Sequence, residues 1–505
     1  MLDLLKNSCK IFPERNSFFI NETFYSYRQF AEGISKVRSL LEKEIVGHKL
    51  VGILIDDQFS FETYTSIFGV LFCGSGFVPI NINDPTERIK IISDQCELRV
   101  ILSTFRVPKI HEIEKNCNVK CLITAQLPDS EINLALPHYN ENQIAYVLFT
   151  SGSTGVPKGV QINWKNVNAL MDSFFSLGYL VDENDRFLQM FDLAFDFSIM
   201  CYFIPLSIGA SVYTISTEGI KYSNVYTTLE DHKITFAAMV PSFLSYLRPY
   251  FSEILLNDLK YSFFCGEALF DDITAEWAEC VPNALIQNAY GPTEATVFCT
   301  IYNWQRGETH RKHINGTVPI GKPILNTEII IVDDELNELP AGHKGELCIA
   351  GDQLTIGYLK TEDNRQAFFT KKINDKEIRF YRTGDLAYFD GDGDLNFLGR
   401  ADNQIKLHGF RIELGEIEFH ARKFTYPNEV VAVFYKNKLG IERIHLFVEG
   451  YKNEVSKLHE FLEANLPYYM IPNNISIINT FPLNKNGKVD RKGLLHILQN
   501  KARSK

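Results

Sequence analysis

The stretch from Tyr146 to Gly159 joins an apolar run to glycines, hydroxyl side chains and one lysine. Gly152, Gly155 and Gly159 allow the backbone to bend and to approach a ligand closely, so that amide N–H groups can face an anion. Lys158 adds a positive charge, and hydroxyl donors are present at Thr150, Ser151, Ser153 and Thr154. The chemistry that this composition favours is phosphate binding by a loop that follows a buried strand.

The spacing of this loop separates it from two common nucleotide motifs. It lacks G-x-x-x-x-G-K-[ST], so it is not a Walker loop, and it lacks the dinucleotide pattern G-x-G-x-x-G. The alternative is a flexible surface turn. Flexible linkers seldom follow an apolar strand directly and seldom contain Pro-Lys-Gly, which favours the phosphate loop.

A second segment, Asn288-Ala-Tyr-Gly-Pro-Thr-Glu294, combines an aromatic ring, a turn, a hydroxyl and a carboxylate. Tyr290 can stack on a base, Thr293 can donate to a phosphate, and Glu294 can hold Mg²⁺ together with phosphate oxygens. In isolation the same residues would be a Gly-Pro turn with an exposed glutamate. Their position after the phosphate loop favours a nucleotide site.

Three further polar residues come later in the chain. Asp385 follows a glycine in Tyr381-Arg-Thr-Gly-Asp385 and can accept hydrogen bonds from two neighbouring ribose hydroxyls. Arg400 begins a charged run that extends to Glu416, for which the alternative is a surface hairpin. Lys488 lies in an Asn-Gly-Lys turn, where a lysine is usually just solvated.

In this order the motifs resemble those of the adenylate-forming superfamily of acyl-CoA synthetases, luciferases and amino-acid adenylation domains. The resemblance extends from about Gly69 to Gly493. It implies ATP and Mg²⁺ as cofactors, with Glu294 as the metal ligand. It also implies catalytic roles for Thr293, Glu294 and Lys488, with Lys488 bridging the substrate carboxylate and the α-phosphate, and a hinge at Asp402.

The nucleotide-binding residues that the resemblance implies come from all of these motifs. They are Thr150, Ser151, Gly152, Ser153, Thr154, Lys158, Asn288, Ala289, Tyr290, Gly291, Pro292, Thr293, Asp385, Phe397, Arg400 and Lys488.

The prediction of the substrate class depends on Asp196. It lies in Phe195-Asp-Phe-Ser-Ile-Met200, where a carboxylate would be costly to bury without a cation. The ammonium group of an amino acid would supply that cation, as it does for the matching aspartate of amino-acid-activating relatives. The alternative is an aspartate that caps the start of a helix.

The resemblance also implies which residues line the amino-acid pocket. With Asp196 and Lys488 these are Phe197, Met200, Ala238, Phe263, Cys265, Ala289, Val297 and Phe298. Several are bulky, which leaves room only for a small side chain.

Three strings look most like D-alanine:D-alanyl carrier protein ligases. They are Phe264-Cys-Gly-Glu267, Gln404 to His420, and Tyr469-Met-Ile-Pro472. In that comparison Cys265 presses on the substrate's α-carbon and favours the D-enantiomer. Asp192 and Cys201 depart from the pattern, and Phe197 and Phe298 are large for a D-alanine pocket.

The expected reaction is ATP-dependent activation of a small amino acid, with D-alanine as the first choice, followed by transfer to a phosphopantetheine thiol. Because the sequence ends soon after the lysine turn, we expect that thiol on a separate, small, acidic carrier protein. His408, Arg411, Arg422 and Lys423 are the candidate docking residues. The alternatives are a stand-alone enzyme for another small amino acid in natural-product biosynthesis, an acyl-CoA synthetase that uses coenzyme A, and a non-catalytic relative.

Composition excludes several other classes. Of the 505 residues, 45% are hydrophobic and 22% are charged, as in globular proteins, and the net charge of −11 argues against a nucleic-acid or anionic-membrane binder. The ten cysteines are scattered, with Cys117 and Cys121 the only close pair, so neither a zinc site nor a disulfide framework is indicated. No secretory signal or membrane-spanning run is visible, and the expected location is the cytoplasm. The oligomeric state is left open, and a monomer is compatible with the sequence.

The elements that must hold these residues alternate between short β-branched runs and helical stretches, which indicates an α/β fold with largely parallel sheets. Predicted strands include 50–55, 99–102, 211–215, 235–239, 261–264 and 285–288, with helices at 61–70 and 85–95. After Pro323, short strands and turns predict a small β-rich subdomain. From about Asp402, two strands (430–435 and 445–449) and two helices (416–423 and 454–466) predict a small α+β domain. The predicted division is therefore a core of residues 1–401 and a mobile domain of residues 402–505.

Overall fold

The computed structural model describes residues 1–44, 49–55, 59–137, 140–152, 156–307, 312, 316–401, 404–437, 440–482 and 489–501, the last three by their backbone alone. The chain divides into two compact units. The large unit comprises residues 1–82, 92–149 and 159–401. The small unit comprises residues 83–91, 150–158 and 402–505.

The helices within the described ranges follow in chain order. They are α1 Leu2–Ile11, α2 Tyr27–Glu44, α3 Phe61–Phe72, α4 Thr86–Gln95, α5 Pro108–Cys117, α6 Trp164–Ser176, α7 Phe197–Ile208, α8 Lys221–Asp231, α9 Ser242–Leu247, α10 Asp271–Cys280, α11 Thr361–Ala367, α12 Leu414–Thr425, α13 Val455–Asn465 and α14 Arg491–Lys501. Short 3₁₀ helices occur at Arg248–Glu253, Thr293–Ala295 and Tyr468–Met470.

The strands are likewise numbered along the chain. They are β1 Asn16–Ile20, β2 Thr23–Ser26, β3 Leu50–Ile55, β4 Gly76–Asn81, β5 Val100–Ser103, β6 Lys120–Ile123, β7 Ile144–Thr150, β8 Lys158–Asn163, β9 Arg186–Gln189, β10 Ser211–Thr214, β11 Phe236–Met239, β12 Tyr261–Phe264, β13 Leu285–Tyr290, β14 Thr300–Asn303, β15 Lys322–Pro323, β16 Thr327–Val332, β17 Gly345–Gly351, β18 Gly357–Tyr358, β19 Phe368–Ile373, β20 Lys376–Phe389, β21 Leu395–Arg400, β22 Gln404–Leu407, β23 Phe410–Glu413, β24 Val430–Lys436, β25 Glu442–Glu449 and β26 Asn474–Ile478.

Two sheets form the framework of the large unit. The nine-stranded sheet has the order β15-β14-β13-β12-β11-β9-β10-β1-β2, and its strands from β13 to β1 run parallel. The seven-stranded sheet has the order β18-β8-β7-β4-β3-β5-β6, with β7, β4, β3, β5 and β6 parallel. The strands of a parallel sheet are usually buried on both faces, and β3 and β12, which the sequence located at their observed bounds, are buried along their whole length.

A third, antiparallel sheet of the large unit has the order β16-β17-β20-β19, with β21 paired to β20. This is the small β-rich subdomain predicted after Pro323. Its pairing sets Asp385 opposite Arg400 across β20 and β21. Charged residues that face each other across two strands are within reach of an ion pair.

In the small unit, the described part of the 402–505 segment contains a three-stranded sheet, β24-β25-β26, packed against α12 and α13 through residues such as Ile417, Leu446 and Leu458. The predicted strands and helices are present, while the third strand β26 was not predicted. The hairpin β22–β23 turns at His408 and Gly409, both with positive φ. Two such residues in a two-residue loop are the geometry of a type I′ turn, whose twist suits a hairpin.

The predicted fold class, α/β with a large N-terminal and a small α+β C-terminal domain, is confirmed. The proposed hinge, Asp402, lies outside the described residues. Among the residues that are described, no helix combines the length and the apolar character needed to cross a membrane.

Candidate active site

The phosphate loop begins where β7 ends, and its described part lies in the small unit. Ser151 Oγ donates to the Arg411 carbonyl at 2.7 Å and accepts from the Glu413 amide at 3.1 Å. The Gly152 N–H donates to Glu416 Oε2 at 3.2 Å. A Cβ at position 152 would lie 2.1 Å from the Val156 carbonyl oxygen, so the loop requires glycine there. Ser153 and Thr154 lie outside the described residues.

Glu416, which receives the Gly152 amide, is itself held by a cation. Its Oε1 lies 3.1 Å from Arg88 Nη1, and Arg88 Nε lies 3.7 Å from Asp84 Oδ2. Burial raises the pKa of Glu416, and the positive charge of Arg88 opposes that rise. The sequence predicted that amides of this loop bind an anion. In the structure the Gly152 amide binds the carboxylate of Glu416.

The Asp385 cluster, made of Tyr290, Asp385 and Arg400, lies in the large unit. The Tyr290 hydroxyl donates to Asp385 Oδ2 at 2.5 Å, and Arg400 Nη1 donates to Asp385 Oδ1 at 2.9 Å. Arg400 also donates to the Thr383 carbonyl at 2.8 Å. Burial, followed by the negative charge of Asp385, raises the pKa of Tyr290. A carboxylate offers about four lone-pair positions, so Asp385 retains acceptor capacity for ribose hydroxyls.

The segment 288–294 is fixed by its own polar groups. The Asn288 amide donates to the carbonyls of Val318 at 3.2 Å and Pro319 at 2.9 Å. Gly291 packs against the chain itself, since a Cβ there would lie 2.5 Å from the Phe298 Cα. The segment thus holds Tyr290 and Glu294 in place through backbone contacts that a larger residue at 291 would break.

Glu294 is the candidate magnesium ligand. It is fully buried, and its Oε1 accepts from the Tyr358 hydroxyl at 2.5 Å. Mg²⁺ commonly binds through one or two carboxylates together with substrate phosphates and water. Within the described ranges, no group of three or more His, Cys, Asp or Glu side chains is arranged to hold a metal. A single oriented carboxylate that shares the ion with phosphate oxygens fits Mg²⁺, and Tyr358 is a supporting residue that the sequence analysis missed.

Asp196 immediately precedes α7 and is 7% exposed. Asp196 thus occupies the N-cap position of the helix, as the alternative expected, but its side chain makes no capping hydrogen bond there. Burial, with the charge of Asp196 second, raises the pKa of Tyr146 on β7.

The predicted pocket residues Phe197, Phe263 and Phe298 form a chain of ring contacts in the large unit. The ring centroids of Phe263 and Phe298 lie 5.3 Å apart in an edge-to-face arrangement, and those of Phe197 and Phe263 lie 5.9 Å apart. The other predicted residues are also buried: Met200, Ala238, Cys265, Ala289 and Val297. Ala238 and Phe263 face each other on neighbouring parallel strands, with Cys265 directly after β12. The structure therefore brings the three predicted rings into direct contact.

Gln353, which the sequence did not indicate, holds the segment that carries Phe298. Its amide nitrogen donates to three carbonyls, those of Ala295 at 3.2 Å, Thr296 at 3.3 Å and Phe298 at 2.8 Å. Thr296 and Val297 have positive φ, a strained conformation for residues with a branched side chain. Gln353 thus stabilises an unusual backbone at the wall of the predicted pocket.

Asp192, which departed from the expected pattern, belongs to a further set of contacts. We call Asn81, Asp192 and Ala194 the Asp192 cluster. The Asn81 amide donates to Asp192 Oδ2 at 3.0 Å, and the Ala194 N–H donates to Oδ1 at 2.9 Å. Burial raises the pKa of Asp192 despite these hydrogen bonds and the positive charge of Lys221, which oppose that rise.

The remaining predicted residues are described only in part. Thr150 and Lys158 flank the phosphate loop, Pro292 and Thr293 lie at the turn after β13, and Phe397 lies on β21 with its ring 6.4 Å from that of Tyr290. Lys488 lies outside the described residues. His408 and Arg411 are on the β22–β23 hairpin, and Arg422 and Lys423 form the exposed last turn of α12.

Comparison with known proteins gives the class. Residues 5–359 match the family of AMP-binding enzymes. The chain belongs to this family, and the resemblance to the adenylate-forming superfamily is thereby confirmed.

Individual relatives narrow the comparison. The chain is 32% identical to tyrocidine synthase 1 of Brevibacillus parabrevis over 496 residues, which are 97% of this chain and 44% of that protein. It therefore spans less than half the length of that relative. It is also 32% identical to zwittermicin A synthase ZmaJ of Bacillus cereus over 497 residues, 95% of this chain and 92% of ZmaJ. The adenylation domain AlmE of Vibrio cholerae shares the fold, with a TM-score of 0.86 and 23% identity over 99% of this chain and 97% of AlmE.

Proposed function

We propose that the protein activates a small amino acid with ATP as an aminoacyl adenylate and transfers it to the phosphopantetheine thiol of a carrier protein. D-alanine is the first candidate. The observation that carries the proposal is the wall of contacting rings, Phe197, Phe263 and Phe298, in the unit that also holds the buried Asp196. Rings in contact leave little space for a substrate side chain, and a buried carboxylate favours a substrate with a cationic group.

In this proposal the activation step depends on alignment and charge. The phosphate loop and Lys488 bind the phosphates, Asp385 accepts from the ribose hydroxyls, and Tyr290 lies against the base. Asp196 binds the substrate's ammonium group, and Lys488 stabilises the negative charge that develops as the carboxylate attacks the α-phosphate. When Mg²⁺ is bound by Glu294, it supplies neutralising charge to the phosphate oxygens.

The second step requires a carrier. We propose that Asp402 is the hinge about which the 402–505 domain moves, and that a carrier protein docks on His408, Arg411, Arg422 and Lys423. The exposure of Arg422 and Lys423 on α12 supports this surface. Reversing the charge of both residues should weaken the apparent affinity for the carrier and leave adenylate formation unchanged. The cytoplasm is the proposed location.

Amino-acid-dependent exchange of pyrophosphate into ATP tests the proposal. The panel should contain glycine, both enantiomers of alanine and serine, larger amino acids and short fatty acids. Exchange with a small amino acid supports the proposal, and the preferred enantiomer tests the part assigned to Cys265. Exchange with fatty acids alone would favour an acyl-CoA synthetase, and no exchange with any acid would favour a non-catalytic relative.

Two variants test the assigned residues. Asp196→Ala should abolish exchange with amino acids, and undiminished exchange would contradict the amino-group anchor. Lys488→Ala should abolish adenylate formation while sparing thioester formation from supplied aminoacyl adenylate. Equal loss of both steps would contradict the assignment of Lys488 to the first step alone.

A further inference from the structure

Two segments of the large unit, residues 294–298 and residues 353–358, are joined to each other by hydrogen bonds. We call them the wall segment and the supporting segment. The wall segment begins at Glu294, the candidate magnesium ligand, and ends at Phe298, whose ring belongs to the predicted pocket. The supporting segment has no role in the function proposed above.

The hydrogen bonds run along the whole length of the wall segment. Gln353 Nε2 donates to its carbonyls at positions 295, 296 and 298, at 3.2 Å, 3.3 Å and 2.8 Å. In the opposite direction, Thr296 Oγ1 donates to the Gln353 carbonyl at 2.6 Å. The Thr355 N–H donates to the Glu294 carbonyl at 2.8 Å. The supporting segment therefore fixes both ends of the wall segment and its middle.

The wall segment has a backbone conformation that its own residues disfavour. Thr296 and Val297 have φ angles of 53° and 76°. Both side chains are branched at Cβ, and such residues rarely adopt positive φ. A backbone of this kind persists only when the surrounding structure holds it. The bonds from Gln353 lie on both sides of these two residues, so the Gln353 amide is a group that holds them.

The supporting segment is itself anchored to two other elements. Asn166, in the first turn of α6, donates from Nδ2 to the carbonyls of Asp352 and Leu354, both at 2.9 Å. Arg379, on β20, donates to the Thr355 carbonyl at 2.9 Å. Because a helix and a strand hold the supporting segment, Gln353 has a fixed position from which to act on the wall segment.

Phe298 connects this backbone to the size of the pocket. Its ring is fully buried and meets the Phe263 ring edge to face, with centroids 5.3 Å apart. Rotation about φ at position 296 or 297 would displace the Phe298 Cα, because a backbone rotation moves the residues that follow it. Protein interiors are closely packed, so even a small displacement of this ring changes the space left for a substrate side chain.

We propose that Gln353 is a specificity-determining residue, whose amide holds the wall segment in the conformation that places Phe298 against Phe263 and so limits the size of the amino acid. The proposal rests on the proposed function, because it concerns the amino-acid pocket of that reaction. Gln353 is a positioning residue, since its amide bonds to main-chain carbonyls and acts on the pocket through them.

Gln353→Met tests the specificity role, because it keeps the length of the side chain and removes the donor. In pyrophosphate exchange we compare kcat/KM for leucine with kcat/KM for the small amino acid that the wild type prefers. We expect the ratio to rise about tenfold, an effect of the size that one methylene group has in an apolar pocket. The ratio does not depend on the fraction of enzyme that is folded, so a loss of stability alone would leave it unchanged. An unchanged ratio in the active variant would overturn the specificity role.

Amide hydrogen exchange tests the wall segment without any substrate. The N–H groups of residues 295, 296 and 298 donate to main-chain carbonyls. In Gln353→Met they should exchange faster than in the wild type, because local opening of the segment becomes easier. Exchange at the wild-type rate would overturn the proposal whatever the activity of the variant.

Gln353→Asn is a milder change that tests the same proposal if Gln353→Met does not fold. It keeps an amide but is one methylene shorter, so it cannot make all of the bonds that Gln353 makes. We expect a smaller change in the same direction in both the ratio and the hydrogen exchange. Faster hydrogen exchange with an unchanged ratio would overturn the specificity role.

Gln287→Met is the matched control. Gln287 is as deeply buried as Gln353, but its amide bonds to the side chains of Asn303 and Tyr179. It should lower the melting temperature while leaving the ratio and the amides of the wall segment as they are. A shift of the ratio as large as that in Gln353→Met would show that loss of any buried amide has this effect, and would overturn the proposal.

Tyr358→Phe tests the other end of the supporting segment. The Tyr358 hydroxyl donates to Glu294 Oε1 at 2.5 Å. The change should raise the Mg²⁺ concentration needed for pyrophosphate exchange and leave the preference among amino acids unchanged. An equal shift of that preference would contradict the assignment to Gln353.

The two measurements separate this proposal from the proposed function. If the wild-type protein exchanges pyrophosphate with no amino acid, the proposed function fails, and the specificity role fails with it. Hydrogen exchange then still decides whether Gln353 holds the wall segment.

Discussion

The Asp385 cluster and the Asp192 cluster bury a carboxylate in two different ways within the same unit. Asp385 is matched by the guanidinium of Arg400 and the hydroxyl of Tyr290. Asp192 is held by neutral donors, the Asn81 amide and the Ala194 N–H, among aromatic side chains that continue through Phe191 to Phe197 and Phe263. The first region is stabilised by opposite charges. The second depends on packing and on hydrogen bonds from neutral groups, with Lys221 as the cation whose charge acts on Asp192.

This difference predicts which substitutions should destabilise each region most. Removing one member of a buried ion pair leaves an uncompensated charge, which is strongly destabilising. In the Asp192 region, where the hydrogen bonds to the carboxylate come from neutral groups, loss of volume should matter more than loss of charge. The following substitutions test this contrast, from the largest expected effect to the smallest.

Phe298→Ala removes a fully buried ring from the set of contacting rings formed by Phe197, Phe263 and Phe298. We expect a loss of about 3–5 kcal/mol in the free energy of unfolding, because a cavity remains where the ring was. We also expect pyrophosphate exchange with larger amino acids to increase. Phe380→Ala is the control, since Phe380 is equally buried but lies in the antiparallel sheet. A similar gain of larger substrates in the control would show that the effect is not local.

Arg400→Met leaves Asp385 without its cation. Arg400 is partly exposed, so solvent offsets some of the cost, and we expect a loss of about 2–4 kcal/mol in denaturant unfolding. Adding Asp385→Asn should restore part of that loss because the buried charge is gone. Arg382→Met, which breaks the more exposed pair with Glu346, should cost less than about 1 kcal/mol. Equal losses at 400 and 382 would contradict the contrast.

Gln353→Leu removes the donor shared by the carbonyls of Ala295, Thr296 and Phe298. Buried carbonyls that lose a partner should cost about 1–2 kcal/mol in total, less than the ring or the ion pair. Gln161→Leu is the control, as its amide makes a long contact of 3.4 Å to the Gly357 carbonyl. Thermal unfolding measures both, and the larger shift is expected at 353.

Asp192→Asn keeps the shape of the side chain and removes its charge. At neutral pH we expect a change of about 1 kcal/mol or less, because the asparagine oxygen still accepts from the Ala194 N–H and the Asn81 amide can turn to accept from the new NH2 group. The pKa of Asp192 is raised above its ordinary 3.8, so its protonated form favours the folded state. That contribution is fully present below pH 3.8 and is lost as the pH rises through the raised pKa. The variant should therefore gain stability relative to the wild type as the pH rises through that window. A difference that does not vary with pH would contradict it.

Sequence reasoning found the elements whose residues are buried on both sides. The strands Leu50–Ile55 and Tyr261–Phe264 were located at their observed bounds, because short, mostly apolar runs between helical stretches leave few alternatives. The strand Asn474–Ile478 was missed, since its residues are only partly buried and its pairing with β25 depends on the three-dimensional fold.

The same limit applies to the candidate site. The rings Phe197, Phe263 and Phe298 were grouped from the resemblance to a known family, and the structure brings them into contact. The pairs Arg88 with Glu416 and Asn81 with Asp192 were not predicted. Neither pair has a local pattern, because its members are separated by 328 and 111 residues and meet only through tertiary structure.

The hydrogen bond from the Gly152 amide to Glu416 affects how this amide could bind another anion. A peptide N–H that already points at a carboxylate oxygen has its direction set during folding, so a second oxyanion arriving there meets a donor that needs no reorientation. The same bond makes the two anions mutually exclusive at that hydrogen. The Gly152 amide can therefore bind either the Glu416 carboxylate or an oxyanion from solution, but not both at once.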